Sequence, residues 1–307
     1  MSEQEPTIDT ATQQKVLFLG LGAMGTPMAA CLASQGHTLL LSDLDRARAQ
    51  AVAADLGPTA TAVADTRAAT ETADVVVLML PDTPAVEAVL LGDDGLLSQL
   101  RSGSVVIDMG SSQPASTVQL AATAAARGIR LIDAPVSGGV ARARTGELAI
   151  MVGGPDDTVA ELTPLLSAMG TITHVGTAGA GHALKALNNL LGAIGLTAAA
   201  EVFAVGEKFG LDPNVMLDVV NRSTGRNHAT EVKFDTFVLS RAFNSGFPLR
   251  LMLKDLRTAL SVAATTDTPT PLAAACLQEW MAADNALQAS ADHTEIAAYV
   301  QSRAGIS

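Results

Sequence analysis

Cysteine is scarce in this chain, which has Cys31 and Cys276 as its two examples among 307 residues. Both fall in segments with an amphipathic helical pattern, so we interpret them as buried thiols. Two distant cysteines and five scattered histidines provide no disulfide framework and no spacing typical of metal ligands. The sequence therefore predicts no bound metal ion.

Positively charged residues are also few: the chain has 19 Lys and Arg residues and 31 Asp and Glu residues, which gives a net charge of −12. No basic block offsets this charge, which argues against nucleic acid or an anionic membrane as a partner. Polar residues interrupt the apolar runs before they reach membrane-spanning length. The polar start of the chain lacks the regions of a signal peptide, so we expect a cytoplasmic protein with residues 1–14 as a flexible tail.

Short runs rich in Val, Ile and Leu recur along the first half of the chain and have no polar face. They are VLFLG, TLLLSD, ADVVVLMLP, SVVIDMG, IRLIDAP and LAIMVGG. Such continuity is expected of parallel strands that helices cover on both sides. The segments between the runs repeat apolar residues near the helical period and often stop at glycine. The pattern predicts an α/β, doubly wound sheet.

A glycine-rich turn follows the first of these runs, in the sequence KVLFLGLGAMGTPMA. Its G-x-G-x-x-G spacing permits a tight turn, close approach of a pyrophosphate and close helix–strand packing, with the helix N-terminus facing the phosphates. A tight strand–helix turn alone would also use glycines here. With its flanking strand and helix, the motif predicts an N-terminal Rossmann dinucleotide-binding domain over residues 15–176. The predicted cofactor-binding residues are Gly20, Leu21, Gly22, Ala23, Met24 and Gly25.

Asp43 ends the second predicted strand, where an acidic side chain can accept both ribose hydroxyls of NAD. A 2′-phosphate would meet its negative charge, so NAD is favoured over NADP, although Arg46 nearby weakens that preference. A helix N-cap is a compatible second role for Asp43. Because ligands of open α/β sheets lie at the carboxyl edge, we also assign cofactor contacts to two further strand ends. These are Met79, Leu80 and Pro81, and Ser111 within MGSS, unless the segments are ordinary loops.

Helical patterns alone follow from residue 180 onward. The predicted helices span 180–209, 212–221, 229–240, 248–266, 271–288 and 294–302. Proline in the first turn after a capping side chain marks two of the starts. The first helix would be about 45 Å long, so we predict a long interdomain helix over 177–209 and a C-terminal all-α domain over 210–307. Its apolar surface predicts a homodimer or homotetramer.

Lys185 and Asn189 lie one turn apart on the same face of that long helix. A lysine enclosed beside a cofactor loses hydration, which lowers its pKa toward the range of a proton shuttle. The alternative is a lysine that extends from the helix to water. The Tyr-x-x-x-Lys pair of short-chain dehydrogenases is absent, because the sole tyrosine, Tyr299, is followed at that spacing by Arg303. His174, His182 and His228 are possible acid–base groups without a recognisable pairing.

A second segment, DAPVSGG, ends a predicted strand with a serine and two glycines. The hydroxyl of Ser137 and exposed N–H groups at Gly138 and Gly139 can bind a carboxylate. The alternative is a glycine-rich turn.

Four motifs in this order, GLGAMGTPMA, DAPVSGG, GAGHALKALNN and FPLRLMLKDL, resemble those of the β-hydroxyacid dehydrogenases, over about residues 15–290. The resemblance implies an NAD-dependent oxidoreductase acting on a small 3-hydroxy carboxylate. It implies Lys185 as the catalytic lysine, residues 137–139 as the carboxylate site and Asn189 as a substrate-positioning residue. Lys254, in MLKDL, resembles the family's second lysine near cofactor and substrate. An imine reductase, whose members usually carry Asp or Tyr at position 185, and a non-catalytic dinucleotide-binding module remain alternatives.

Two departures from the family pattern affect the site. Gly110-Ser111 stands where many members have Ser-Thr, which leaves the nicotinamide contacts there open. In NRSTGRNHAT, residues 221–230, Arg226, Asn227 and the following histidine add hydrogen-bonding capacity and suggest a more polar substrate. Alternatively, Gly225 ends a helix and Arg226 is solvated.

Overall fold

The computed structural model describes residues 13–92 and 94–306. The chain divides into two compact units, with the boundary between Lys185 and Ala186. Residues 1–12 of the predicted tail lie outside the described residues. Gln14 is held at its backbone, where its N–H donates to Nδ1 of His37 over 3.2 Å.

One sheet organises the first unit. Its strands are β1 Lys15–Leu19, β2 Thr38–Ser42, β3 Ala60–Ala62, β4 Val75–Leu78, β5 Val105–Asp108, β6 Arg130–Asp133, β7 Val136–Ser137, β8 Leu148–Gly153 and β9 Gly170–Gly176. The order across the sheet is β3-β2-β1-β4-β5-β6-β8-β7, and β9 also pairs with β8. All six apolar runs form strands. The strands β3, β7 and β9 are not predicted, because they are too short or, in β9, largely exposed along one face.

The direction of β8 corrects the prediction that all six runs are parallel. Strands β1 to β6 pair in parallel, whereas β8 is antiparallel to both β6 and β7. Burial along β8 alternates over its first residues, as expected of a strand with one covered and one exposed face. The run LAIMVGG is continuous in apolar composition, so sequence alone did not reveal this alternation.

Helices pack on the sheet of the first unit: α1 Gly25–Ser34, α2 Arg46–Leu56, α3 Thr66–Thr70, α4 Thr83–Leu91, α5 Pro114–Ala125, α6 Gly139–Thr145 and α7 Asp156–Ser167, with short 3₁₀ turns at Gly57–Thr59 and Leu96–Ser98. Successive residues of β1 enter opposite cores. Val16 and Phe18 belong to one buried cluster, and Leu17 and Leu19 belong to another. Because strand side chains alternate between faces, apolar residues are needed at every position of such a strand. The doubly wound fold is confirmed.

The second unit is helical. Its helices are α8 Ala180–Phe209, which begins in the first unit, α9 Pro213–Asn221, a π-helix Ala229–Leu239, α10 Leu249–Thr265, α11 Pro271–Ala286 and α12 Glu295–Arg303. The predicted helices are all present, and the one at 229–240 has π rather than α hydrogen bonding. Phe203 and Phe234 meet in the core with ring centroids 4.5 Å apart. The indole of Trp280 donates to Oγ1 of Thr197 over 2.9 Å, which satisfies its one buried donor.

Helix α8 is, among the described residues, long and apolar enough by composition to cross a membrane, with a mean hydropathy of 1.5. The protein itself buries 56% of that stretch. The buried residues, which include Ala193, Leu196, Ala200 and Phe203, form part of the core of the second unit. Packing therefore accounts for much of the apolar character, since a core helix passes the same test of length and composition.

The two cysteines differ in environment. Cys276 is buried, whereas Cys31 is half-buried and its Sγ lies 3.3 Å from the carbonyl oxygen of Ala143. The prediction of two buried thiols is thus correct for Cys276 and too strong for Cys31. Burial raises the pKa of both thiols, and both are free.

Candidate active site

The glycine-rich loop between β1 and α1 combines two crowded positions with one open position. Gly20 has φ +95°, and a Cβ there would lie 2.3 Å from the carbonyl oxygen of Met79. A Cβ on Gly25 would lie 1.9 Å from the carbonyl oxygen of Gly20. At Gly22 a Cβ would meet nothing within 4 Å. The outer glycines therefore serve packing, and Gly22 leaves the backbone accessible from outside.

A cavity of about 680 Å³ lies beside this loop. Its lining includes Gly22, Ala23 and Thr26, and two arginines, Arg48 and Arg144. The loop N–H groups stand at the N-terminus of the ten-residue helix α1, which favours negative charge. Accessible backbone, a helix N-terminus and two cations fit the phosphates of a dinucleotide.

Asp43 follows β2 and anchors the loop. Its Oδ2 accepts the N–H of Leu21 at 2.7 Å, and its Oδ1 accepts the N–H of Asp45 at 2.9 Å. The guanidinium of Arg48 lies 3.3 Å from Oδ1. The N-cap of α2 is Asp45, which accepts the N–H of Arg48, so the alternative role considered for Asp43 belongs to Asp45. The sequence analysis named Arg46 and missed Arg48, one turn into α2.

The ends of β4 and β5 lie beside the glycine loop at the carboxyl edge of the sheet. The N–H of Met79 donates to the carbonyl oxygen of Leu19 over 2.9 Å. A Cβ on Gly110 would lie 2.8 Å from the carbonyl oxygen of Leu80, so the backbone at this position favours glycine. Of the other residues predicted here, Pro81 is exposed and Ser111 is half-buried.

The segment predicted to bind a carboxylate begins as strand and ends as helix. Ser137 closes β7, pairs with Ala149 of β8 and is half-buried. Gly138 and Gly139 are exposed and have φ of +133° and +68°, values that side chains rarely adopt. Helix α6 begins at the second of these glycines.

Lys185 is half-buried in the second turn of α8 and is the last residue of the first unit. One turn before it, His182 is 1% exposed. Its imidazole lies 3.8 Å from each of two buried carboxylates, Asp108 and Asp133. No pairing of this histidine is recognisable in the sequence. Its partners lie at strand ends far away in the chain, and no local signal marks them.

Asp133 holds the start of α8. Its Oδ1 accepts the N–H of Gly179 at 2.7 Å, and its Oδ2 accepts the N–H of His182 at 2.8 Å. Burial raises the pKa of Asp133, and the His182 charge and these N–H donors oppose the rise.

In the second unit, Asn189 and Lys254 meet at one buried carboxylate. The side-chain amide of Asn189 donates to Oδ2 of Asp255 over 2.6 Å, and Nζ of Lys254 lies 3.5 Å from Oδ1. Asp255 is 2% exposed. The sequence analysis assigned no role to Asp255, although it adjoins Lys254 in the quoted motif.

The segment around Arg226 divides into exposed and capping residues. Arg226 is exposed. Asn227 uses its side-chain oxygen to accept the N–H groups of Ala229 and Thr230 at 2.8 and 3.3 Å, so it caps the π-helix. Helix α9 ends at Asn221, which is before Gly225, so that glycine does not end the helix. Within the described ranges, no group of three His, Cys, Asp or Glu side chains is placed to hold a metal ion.

Comparison with known proteins accounts for both units. Residues 15–179 match the model of the NAD binding domain of 6-phosphogluconate dehydrogenase, and residues 179–300 match that of the NAD-binding domain of NADP-dependent 3-hydroxyisobutyrate dehydrogenase. The chain is 40% identical over 265 residues to 2-(hydroxymethyl)glutarate dehydrogenase of Eubacterium barkeri, covering 86% of this chain and 87% of the relative. It is 40% identical over 266 residues to 3-hydroxyisobutyrate dehydrogenase of Pseudomonas aeruginosa, covering 84% and 88%.

A solved structure of Mycobacterium tuberculosis 3-hydroxyisobutyrate dehydrogenase with L-serine superimposes with a TM-score of 0.86 at 32% identity, covering 94% of this chain and 99% of that one. The chain therefore belongs to the β-hydroxyacid dehydrogenase family. Membership supports an oxidoreductase that acts on CH–OH donors with NAD or NADP. One similar structure, Psf3 in complex with NADP⁺ and 2-OPP, has a TM-score of 0.80 at 29% identity and covers 93% of this chain and 99% of that one.

Proposed function

We propose that this chain is an NAD-dependent dehydrogenase that oxidises the hydroxyl of a small 3-hydroxy carboxylate, with Lys185 as the acid/base. The substrate class is 3-hydroxyisobutyrate-like or more polar. One observation carries the proposal. Asp133, the first residue of the DAPVSGG segment, accepts two backbone N–H groups from the start of the helix that bears Lys185. A carboxylate-binding loop and the catalytic lysine thus share one buried anchor.

The residues that would hold the cofactor are those of the glycine loop with Asp43. The loop N–H groups around Gly22 would bind the phosphates, and Asp43 would bind the ribose hydroxyls. Asp43 keeps acceptor capacity on Oδ2, which one N–H occupies, and its negative charge disfavours a 2′-phosphate. These features support NAD as the preferred cofactor. The bound nicotinamide supplies the hydride acceptor for the reaction.

The chain's own residues provide orientation and proton transfer. Ser137 and the N–H groups of Gly138 and Gly139 bind the substrate carboxylate, which restricts the substrate to few orientations. Lys185, in its neutral form, accepts the proton of the hydroxyl as the carbonyl forms, and returns it in the reverse direction. The names of the relatives support this class, since they include dehydrogenases of 3-hydroxyisobutyrate and L-serine.

Three residues of the second unit have proposed roles that rest on the family resemblance. Asn189 positions the substrate, Lys254 lies near cofactor and substrate, and Arg226 contacts the distal part of a polar substrate. The exposure of Arg226 leaves its guanidinium available for such a contact.

The test is steady-state kinetics on a panel of 3-hydroxyisobutyrate, L-serine and 2-(hydroxymethyl)glutarate, each with NAD and with NADP, and on a cyclic imine with NADH and with NADPH. Lys185→Ala should lower kcat at least about a thousandfold while NADH still binds, because proton transfer and its positioning are both lost. Lys208→Ala is the matched control, since this exposed lysine on the same helix contacts the carbonyl oxygen of Ala304. Equal turnover by both variants would remove Lys185 from the mechanism. Turnover of cyclic imines alone would identify an imine reductase, and no turnover at all would indicate a binding module.

We further propose, as the sequence analysis predicts, that the protein assembles as a homodimer or homotetramer. Helix α8 keeps several large apolar side chains exposed, with Leu191, Val205 and Phe209 at 72%, 70% and 83%. Exposed apolar surface of this kind favours association. Light scattering should give a mass above that of one chain, and Val205→Glu with Phe209→Glu should reduce that mass.

A further inference from the structure

Two aspartates occupy neighbouring positions at the carboxyl ends of adjacent strands. Asp108 of β5 and Asp133 of β6 are register partners, and their exposed fractions are 2% and 0%. Two buried carboxylates this close repel each other and lose hydration, which is costly unless donors or positive charge compensate. N–H and O–H groups that donate to the two carboxylates offset part of this cost. The imidazole of His182 lies between them.

The imidazole faces a different element on each side. Nε2 lies 3.8 Å from Oδ2 of Asp108, and Nδ1 lies 3.8 Å from Oδ2 of Asp133. Nδ1 is also 2.8 Å from Oγ1 of Thr117 on α5. Nε2 is buried and has no hydrogen-bond partner among the described residues. Within the described part of the chain, Asp108 and Asp133 are the carboxylates that lie within 4 Å of the ring nitrogens, and β8 adds glycine backbone beside Asp133, at Gly153.

Each carboxylate also organises a segment of the candidate active site. Asp108 accepts the N–H of Gly110 at 2.9 Å and the hydroxyl of Ser112 at 2.6 Å, which shapes the loop that contains Ser111. Asp133 accepts the N–H groups of Gly179 and His182 at the start of α8. His182 lies three residues before Lys185. One histidine side chain thus lies between the anchor of the predicted nicotinamide loop and the anchor of the lysine-bearing helix.

We propose that His182 is a positioning residue for the dehydrogenase reaction, joining the loop 109–112 to the first turn of α8 through Asp108 and Asp133. The inference rests on the proposed role of Lys185, because its kinetic consequence is the placement of that amine. In this arrangement the ring fills the space between two buried carboxylates and, when protonated, brings positive charge to 3.8 Å from each of them. Loss of the ring lets the loop and the helix move independently, and a displacement of about 1 Å can lower turnover by about a hundredfold.

The experiment compares His182→Gln with His174→Gln in the full-length protein. His174 is a matched control, because it lies in the same unit and its ring contacts backbone carbonyl groups of Gly154 and Gly176. Backbone amide exchange should increase at least about tenfold in residues 109–113 and 179–185 of His182→Gln, and not in β1 and β2. kcat should fall at least about tenfold, with KM for the hydroxy acid within about threefold, since placement of the base acts mainly in the transition state.

Asp108→Asn provides a second variant with the same two readouts, should His182→Gln fail to fold. Unchanged exchange in both segments, or faster exchange throughout the first unit with kcat and KM altered together, would overturn the proposal. The failure of the proposed function is separable. If Lys185→Ala retains turnover, the acid/base assignment falls, whereas local exchange in His182→Gln still reports on the link between loop and helix.

Discussion

The backbone N–H of Leu21 donates a 2.7 Å hydrogen bond to Oδ2 of Asp43. The same carboxylate is 3.3 Å from the guanidinium of Arg48. Asp43 therefore fixes the glycine loop from inside while its charge is partly balanced by a neighbouring cation. We expect the preference between NAD and NADP to depend on both Asp43 and Arg48.

Replacement of Asp43 by Ser should change cofactor preference. The ribose loses its acceptor, so kcat/KM with NAD should fall about tenfold to a hundredfold. The ratio of NADP to NAD efficiency should rise, because the repelling charge is gone and Arg48 is released toward a 2′-phosphate. Steady-state kinetics with both cofactors measure the ratio. Arg48→Ala should move it in the opposite direction, and an unchanged ratio in both variants would contradict the assignment.

Two substitutions in the glycine loop should have different effects, one on the stability of the protein and the other on cofactor binding. Gly25→Ala places a Cβ against backbone at 1.9 Å, so the free energy of unfolding should fall by about 3 kcal/mol. Gly22→Ala meets nothing within 4 Å, so its stability should stay within about 0.5 kcal/mol. Its affinity for NADH should fall at least about tenfold, because the methyl group blocks approach of the pyrophosphate. Urea unfolding and fluorescence titration distinguish the two effects, and equal stability loss in both variants would be inconsistent with this packing.

Adjacent asparagines on α8 provide a matched pair in the second unit. Asn189→Ala removes an N–H donor to the buried Asp255 carboxylate, which should cost about 1–3 kcal/mol of unfolding free energy. Asn188 is exposed, and Asn188→Ala should change stability by less than about 0.5 kcal/mol. Urea denaturation of both variants, with equal slopes, measures the difference. Similar stabilities would mean that Asp255 is satisfied by other groups.

The hydrogen bonds of Asp292, in the second unit, lead us to expect a loss of stability in acid. Burial tends to raise the pKa of this carboxyl, but hydrogen bonds from His293, Thr294 and Ser245 outweigh it and hold the pKa well below its ordinary range. A depressed pKa in the folded state stabilises the protein above the unfolded pKa of about 4 and loses that effect as pH falls. Asp292→Asn should cost about 2 kcal/mol at pH 7 and progressively less as pH falls below 4.

Thermal and urea unfolding between pH 7 and pH 3 measure the difference in stability between wild type and Asp292→Asn, which should shrink as the pH falls. Asp235→Asn is the control, since Asp235 is an exposed carboxylate on the π-helix. A difference between wild type and Asp292→Asn that stays constant with pH would exclude the linkage.

Sequence predicted those parts of the molecule whose cause is local. Apolar runs such as VVVL need helices on both faces wherever they occur, and the proline after Asp212 marks a helix start by its own geometry. The glycine loop was predicted for the same reason, because its residues constrain one another within six positions.

Features that depend on distant partners were missed. The antiparallel direction of β8 follows from its pairing with β6 and β7. The buried neighbours of His182 come from two strand ends, one of them 49 residues away. Arg48 was overlooked in favour of Arg46 because the choice between them depends on which face of α2 turns toward Asp43. Strand register and helix rotation depend on contacts that form in the assembled sheet, and a single sequence does not reveal those contacts.

The uneven crowding of the glycine loop has a practical consequence for protein engineering. Positions 20 and 25 leave no room for a side chain, so a combinatorial library that varies them would consist mostly of unfolded members. Asp43 and Arg48 form an ion pair beside this loop. Randomising those two positions while keeping all three glycines would let a search for altered coenzyme use vary the charge near the ribose without crowding the loop.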